Sequence, residues 1–187
     1  MDLRVREADT LIDWAMAGQR LIKSEDPLTV EFTHEIDSRG YTEPDLGIFT
    51  KLPNGDDLEV GEMPCPEKGG VVTAYEEIWH EFPPPAEGTV SWIIRNDSPV
   101  TGITFLGRLN DAYLAFRKTP KGDFTALREE RDQMTRKWQV RYRIGDDEVP
   151  MMKDVAKSDF DGIVSKTSIE VTGASYRVVA TAVEGKD

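Results

Sequence analysis

Tyr75-Glu-Glu-Ile-Trp-His-Glu-Phe82 is the stretch from which the rest of the chain is best read. Acids and aromatics are interleaved in it, and it runs into Pro83-Pro84-Pro85, which no regular strand continues through. In an extended chain successive side chains point to opposite faces. Tyr75, Glu77, Trp79 and Glu81 then share one face, and Ala74, Glu76, Ile78, His80 and Phe82 the other. Either face carries a carboxylate. If one is interior, that acid needs a partner or its pKa rises until it stays protonated.

Working outward, the same alternation recurs. Leu28 to Ile36 places Val30, Phe32, His34 and Ile36 on one face, and Trp138 to Ile144 places Trp138, Val140, Tyr142 and Ile144 together. Leu11–Ala17 ends at Gly18, Leu58–Met63 and Gly88–Asn96 are short strands, and Val71–Phe82 is the long one. Gly102–Leu109 and Ala112–Lys118 form a hairpin turning at Asn110-Asp111, and Pro53-Asn-Gly55 is a turn. Phe124–Arg131 has a helix-like composition but is bounded like a strand, and is assigned as one. Met151–Phe160 is the helix candidate, with Gly162 as its stop, and Ser168–Glu184 supplies closing strands around Thr172-Gly173. The pattern predicts an all-β fold: a single antiparallel β-barrel of about nine or ten strands with one short helix, forming one domain over residues 1–187. A barrel of this size either fills its interior or holds one small ligand.

Composition bounds the function. The net charge of -12 argues against a nucleic-acid binder, which needs clustered cations. Residues 117–143 run against that balance, with 9 basic and 4 acidic side chains, and read either as a solvated face that aids solubility or as a docking surface for an acidic protein partner or an anionic ligand. No apolar run reaches membrane-spanning length, the N-terminus lacks a secretory pattern, and the single Cys65 suits a reducing compartment, so a cytoplasmic protein is expected. His34 and His80 have no metal-ligand spacing, and no phosphate loop, Cys-x-x-Cys or nucleophile elbow is present, so neither metal nor cofactor is expected. Asn96-Asp-Ser98 matches a glycosylation sequon, a chance match in a cytoplasmic chain.

Four blocks carry a family resemblance: Leu11–Gly18, Thr33–Arg39, Leu52–Met63 and Tyr75–Trp79. In that order they resemble the fungal Hri family, named for interaction with a casein-type kinase. The resemblance implies a lipocalin-like (calycin-type) barrel and a soluble intracellular protein, and it implies no catalytic set.

The remaining chemistry is that of a shaped pocket. His34, on the apolar face of its strand, and Glu77 form the candidate acid–base pair. Tyr75, Trp79, Trp92, Arg108, Tyr113 and Tyr142 are the candidate ligand-binding residues, and His80 falls on the outer side. These parts suit a cofactor-independent isomerase, cyclase or dehydratase acting on a hydrophobic, polyketide- or terpenoid-like substrate. A ligand carrier or a Hri-like interaction module with a filled barrel are the alternatives.

Overall fold

The structure is a computed structural model that describes residues 1–6, 11–65, 68–80, 87–155 and 163–183. Its strands are β1 (Asp2–Val5), β2 (Ile12–Ala17), β3 (Arg20–Glu25), β4 (Leu28–Phe32), β5 (Ile36–Asp37), β6 (Asp45–Lys51), β7 (Asp57–Cys65), β8 (Val71–Trp79), β9 (Val90–Ser98), β10 (Gly102–Leu109), β11 (Ala112–Lys118), β12 (Phe124–Arg131), β13 (Trp138–Ile144), β14 (Ser168–Val171) and β15 (Ala174–Val183). A one-turn helix, α1 (Met152–Val155), and a 3-10 turn at Ile163–Ser165 complete the described elements. The protein is all-β and antiparallel, as the alternation predicts. The strands number fifteen among the described residues, where the sequence suggested nine or ten. Part of the excess lies in short or strongly polar strands (β1, β3, β5) whose apolar alternation is too brief to register.

The strands form three sheets, with orders β1-β2-β5, β3-β4-β6-β7-β8 and β13-β12-β11-β10-β9-β15-β14. None closes on itself by hydrogen bonding among the described residues. The chain divides into two compact units, neither contiguous in sequence. The first comprises Met1–Ala17, Ile36–Gly40 and Pro84–Asp187; the second comprises Gly18–Glu35 and Tyr41–Pro83.

In the first unit the seven-stranded sheet buries both faces. On one, Trp92, Ile94, Leu106, Tyr113, Ala115 and Leu127 pack with Val149, Met152 and Val155, and with Val171 and Tyr176 from the far end of the same sheet. The interior of the curl is therefore filled by side chains from the α1 segment. On the other face Phe105, Phe116 and Ala126 pack against Ile12, Ala15, Ala17 and Ile36 of the three-stranded sheet. The alternation Phe105/Leu106, Ala115/Phe116 and Ala126/Leu127 serves both clusters, which is why these strands read as apolar runs. Each fully buried Leu, Ile or Phe contributes about 1.5–3 kcal/mol.

Polar groups lock this packing. Tyr113 donates its hydroxyl to the Pro150 carbonyl at 2.7 Å, and Glu129 accepts the Met152 amide at 2.6 Å, so the α1 segment is tied to the sheet at two points. Arg117 donates from Nε to Thr104 Oγ1 at 2.9 Å and from a terminal nitrogen to the Glu148 carbonyl. Asp37 accepts the buried Trp14 indole N–H at 2.8 Å and the Arg39 amide at 2.6 Å, while Ser38 Oγ accepts the Ala15 amide. Arg4 and Arg39 both lie over the Trp14 ring. The resembling blocks Leu11–Gly18 and Thr33–Arg39 thus meet in this hydrogen-bonded corner.

Several sequence expectations meet specific physical outcomes. Phe124–Arg131 is strand β12, because pairing with β11 and β13 overrides its helical composition. The run Leu28–Ile36 is not one strand. It breaks after Phe32, where Thr33 turns to bond Gln19 through both its amide and its hydroxyl, and a new ladder to β2 begins at Ile36. The shared face of Val30, Phe32, His34 and Ile36 is lost at that break. The Asn110-Asp111 turn forms with Asn110 at φ 53, and the Thr172-Gly173 turn places both residues at positive φ. Strand β8 ends at Trp79; Glu81, Phe82, the three prolines and the second half of the expected helix 151–160 lie outside the described residues.

Candidate functional site

The second unit holds the most concentrated polar chemistry, on one face of its five-stranded sheet. The register aligns Val30, Gly47, Gly61 and Tyr75 in one row and Leu28, Phe49, Glu59 and Glu77 in the next. Two facing glycines leave a notch in the sheet. A Cβ on Gly47 would overlap the Glu59 carboxylate, and one on Gly61 would lie 2.5 Å from the Tyr75 hydroxyl. The notch lets Glu59 and Tyr75 lie flat over the backbone, where a side chain at either position would exclude them.

Glu59 is the acid at the centre. It is 2 % exposed, and both its oxygens are engaged: Oε1 accepts the Tyr75 hydroxyl at 2.7 Å and Oε2 the Trp79 indole N–H at 2.6 Å. Both donors are neutral. Glu77 stands directly across the ladder from Glu59, between Tyr75 and Trp79 on β8. Burial pushes the Tyr75 phenol far above its ordinary range, reinforced by its hydrogen bond to Glu59 and by the charges of Glu59, Asp45 and Glu77. Tyr75 therefore stays protonated and acts as a donor.

Aromatic rings surround this centre. Trp79 stacks on Phe32 at 6.1 Å with the planes 5° apart, and Phe49 tilts against both rings at 6.3 and 6.0 Å. The Arg20 guanidinium lies over Phe49 at 5.9 Å, so this face already accommodates one cation. Trp79 remains 39 % exposed, leaving part of the platform open.

His34 joins the same face through Asp45 on β6. Its side chain is fully buried, Nε2 lies 2.9 Å from Asp45 Oδ2, and the Tyr41 ring meets it edge-on. Asp45 and Glu77 both act electrostatically on Tyr75, so the candidate residues His34, Glu77, Tyr75 and Trp79 belong to one neighbourhood. The other candidates are elsewhere, in the first unit. Trp92 and Tyr113 pack edge-to-face within the filled core, Arg108 lies over the Trp138 ring and donates to the Asn110 carbonyl, and Tyr142 packs with the opposite cluster. His80 is exposed and pairs with Asp56 at 2.7 Å.

Glu59, Gly47 and Gly61 escaped the sequence reading. The signal was present: Gly47 and Gly61 flank turn-linked strands at matching parity, and Glu59 sits between Leu58 and Val60 in a resembling block. Two aromatic donors, rather than an arginine, satisfy Glu59. In the basic segment 117–143, the arginines are engaged within the chain: Arg128 and Arg141 with Glu130, Arg131 with the Arg136 carbonyl, Arg136 with Asp111, and Arg143 with the Asp147 carbonyl. Asn96 of the sequon donates to the Ser175 carbonyl. Among the described residues no cluster of three or more His, Cys, Asp or Glu is placed to hold a metal ion, and no helix is long and apolar enough to cross a membrane.

Antiparallel sheets carrying a carboxylate among aromatic rings on one face fit a ligand-binding or interaction module. The chain belongs to the Protein HRI1 family, whose model matches residues 1–180. A solved crystal structure of an uncharacterized protein from Saccharomyces cerevisiae is similar in fold, with a TM-score of 0.68 and 10% sequence identity over 96% of this chain and 84% of that one. No curated protein matches the chain.

Proposed function

We propose that the chain is a small-molecule-binding protein whose site is the aromatic–carboxylate face of the second unit, and that both units act together as one domain. The observation that carries this reading is Glu59, a buried carboxylate held by two neutral donors beside a partly exposed Trp79. Neutral donors satisfy the geometry of the carboxylate without cancelling its charge, and aromatic faces are themselves electronegative. The ligand that suits such a site is apolar and carries a cationic or strongly hydrogen-bond-donating group. The lone Cys65 suits a reducing, cytoplasmic setting for this role.

The test uses benzyltrimethylammonium and its neutral carbon isostere, with the Trp79 indole proton followed by NMR. A saturable shift with the cation, a much weaker one with the isostere, and loss of the response in Glu59→Gln are expected. Equal responses to both probes, or none, would overturn the reading.

A catalytic version is favoured by one observation, the buried His34–Asp45 contact at 2.9 Å, with Asp45 on the sheet face that also carries Tyr75 and Glu77. On this version the site is a cofactor-independent isomerase or cyclase in which His34 and Glu77 move protons and Tyr75 donates a hydrogen bond. Assays on cyclisable enones and polyketide-like ketones test it. Turnover that survives both His34→Ala and Glu77→Gln would remove those roles.

A further inference from the structure

The other face of the five-stranded sheet is unusual for a solvated surface. Leu46, Ile48, Val60, Val72, Ala74 and Ile78 project from β6, β7 and β8 on the side away from Glu59. Val72 is 60% exposed and Ile78 67%, with Leu46 and Ile48 also exposed. An antiparallel sheet with one solvated face ordinarily presents polar side chains there. Between Ile48, Val60 and Ala74 the surface dips into an open depression of about 580 Å³, with Glu62 and Glu76 also lining it. Ala74 creates the dip, being the smallest side chain in its row.

Charge identifies what fits. The second unit carries 4 basic and 14 acidic side chains, a net of -10 within the chain's total of -12. On this face Glu31, Glu62 and Glu76 are set among the apolar groups, with Lys23 paired to Glu31. β8 is also a terminal strand of its sheet, so its outer edge is open to strand pairing among the described residues.

We infer that this face docks an extended segment of a partner protein, laid along β8, in which branched apolar side chains and lysines or arginines together occupy every second position and so point to one face. Strand addition would satisfy the β8 edge, the apolar side chains would cover Val72 and Ile78, and the long cationic side chains would reach Glu76 and, one strand further in, Glu62. The surface lies on the opposite side of the sheet from Glu59, so the inference stands apart from the ligand site.

The experiment measures fluorescence anisotropy of a labelled short peptide, with valine and lysine in turn at the odd positions and threonine at the even ones, against the whole chain. A second peptide has glutamate in place of lysine. Saturable binding of the lysine peptide that weakens with salt is expected, with no binding of the glutamate peptide. Val72→Thr with Ile78→Thr should weaken binding roughly tenfold. Glu62→Gln with Glu76→Gln should do the same and flatten the salt dependence. All four side chains are exposed, and thermal melts of both double variants check that they stay folded. Val100→Thr, at an 82% exposed position in the first unit, should bind the peptide as the wild type does. Binding of both peptides alike, unchanged affinity in either double variant, or loss of binding in Val100→Thr would overturn the inference. So would self-association in sedimentation equilibrium that the Val72/Ile78 variant abolishes, which would make a second copy the occupant.

Discussion

Gly61 lies directly across the β7–β8 ladder from Tyr75, and the tyrosine covers the strand where the glycine leaves no side chain. A Cβ at position 61 would fall 2.5 Å from the Tyr75 hydroxyl and 2.7 Å from the Leu46 carbonyl oxygen. The Tyr75–Glu59 hydrogen bond therefore depends on a missing methyl group. Gly61→Ala is expected to lower stability by about 1–3 kcal/mol, the usual cost of forcing an extra group into packed structure. Urea unfolding reads the loss, and the Trp79 indole proton should shift as Glu59 is displaced.

Removing one donor from Glu59 separates structure from ligand chemistry. Tyr75→Phe or Trp79→Phe leaves a buried carboxylate oxygen short of a partner and should cost about 1–2 kcal/mol. Glu59→Gln replaces the charge while keeping one acceptor, so the urea midpoint should move less than in either aromatic variant. A larger loss in Glu59→Gln would mean that the charge itself holds the sheet face together.

Alkaline pH should expose the buried phenols. Burial raises the Tyr75, Tyr113 and Tyr176 hydroxyls above their ordinary value. Above about pH 10 the unfolded chain releases these protons and the folded chain keeps them, so the unfolded state gains and stability falls as pH rises. Below that range the contribution is fully present. Tyr75→Phe should give a shallower fall in unfolding midpoint between about pH 9.5 and 11 than the wild type. Phenolate absorbance should rise together with unfolding rather than before it.

Glu129 gives the opposite kind of test at acid pH. Burial raises its pKa, against the lowering effect of the Met152 amide that it accepts. The protonated form is thus favoured in the fold, and its contribution is fully present below the ordinary carboxyl range and lost as pH rises. Glu129→Gln keeps an acceptor for Met152 without the charge. Relative to wild type, it should gain stability between about pH 4 and pH 7, read from urea midpoints at the two values.

Arg117 spans Thr104 and the Glu148 carbonyl with one planar group. Lysine has a single point of charge and cannot hold both. Arg117→Lys should cost about 1–2 kcal/mol, and amide exchange should speed up around residues 145–150 while β2 stays protected.

The antiparallel character, the two tight hairpin turns and strands such as β13 were legible because each carries its own local signal: alternation, or a turn residue that tolerates positive φ. The candidate site was half legible. Tyr75, Glu77 and Trp79 share a face as parity requires, and His34 reaches that face through Asp45. What parity could not supply was register. Glu59 becomes the central acid only because β7 pairs with β8 so that residue 59 faces 77, a pairing that side-chain alternation alone does not specify. Trp92 and Tyr113 were misplaced for a related reason. A strand buried on both faces offers no rule for deciding which aromatic lines an opening and which fills a core.

Residues 36–40 return to the first unit between the two segments of the second, so β5 interrupts the second unit to pair with β2. During synthesis all five strands of the second unit leave the ribosome before any of β9–β15 does, while β1, β2 and β5 wait for the sheet they cover. No single cut in the gene frees either half, and truncations from the C-terminus remove the first unit's sheet before they touch the second. A single recombination crossover therefore cannot transfer either unit intact.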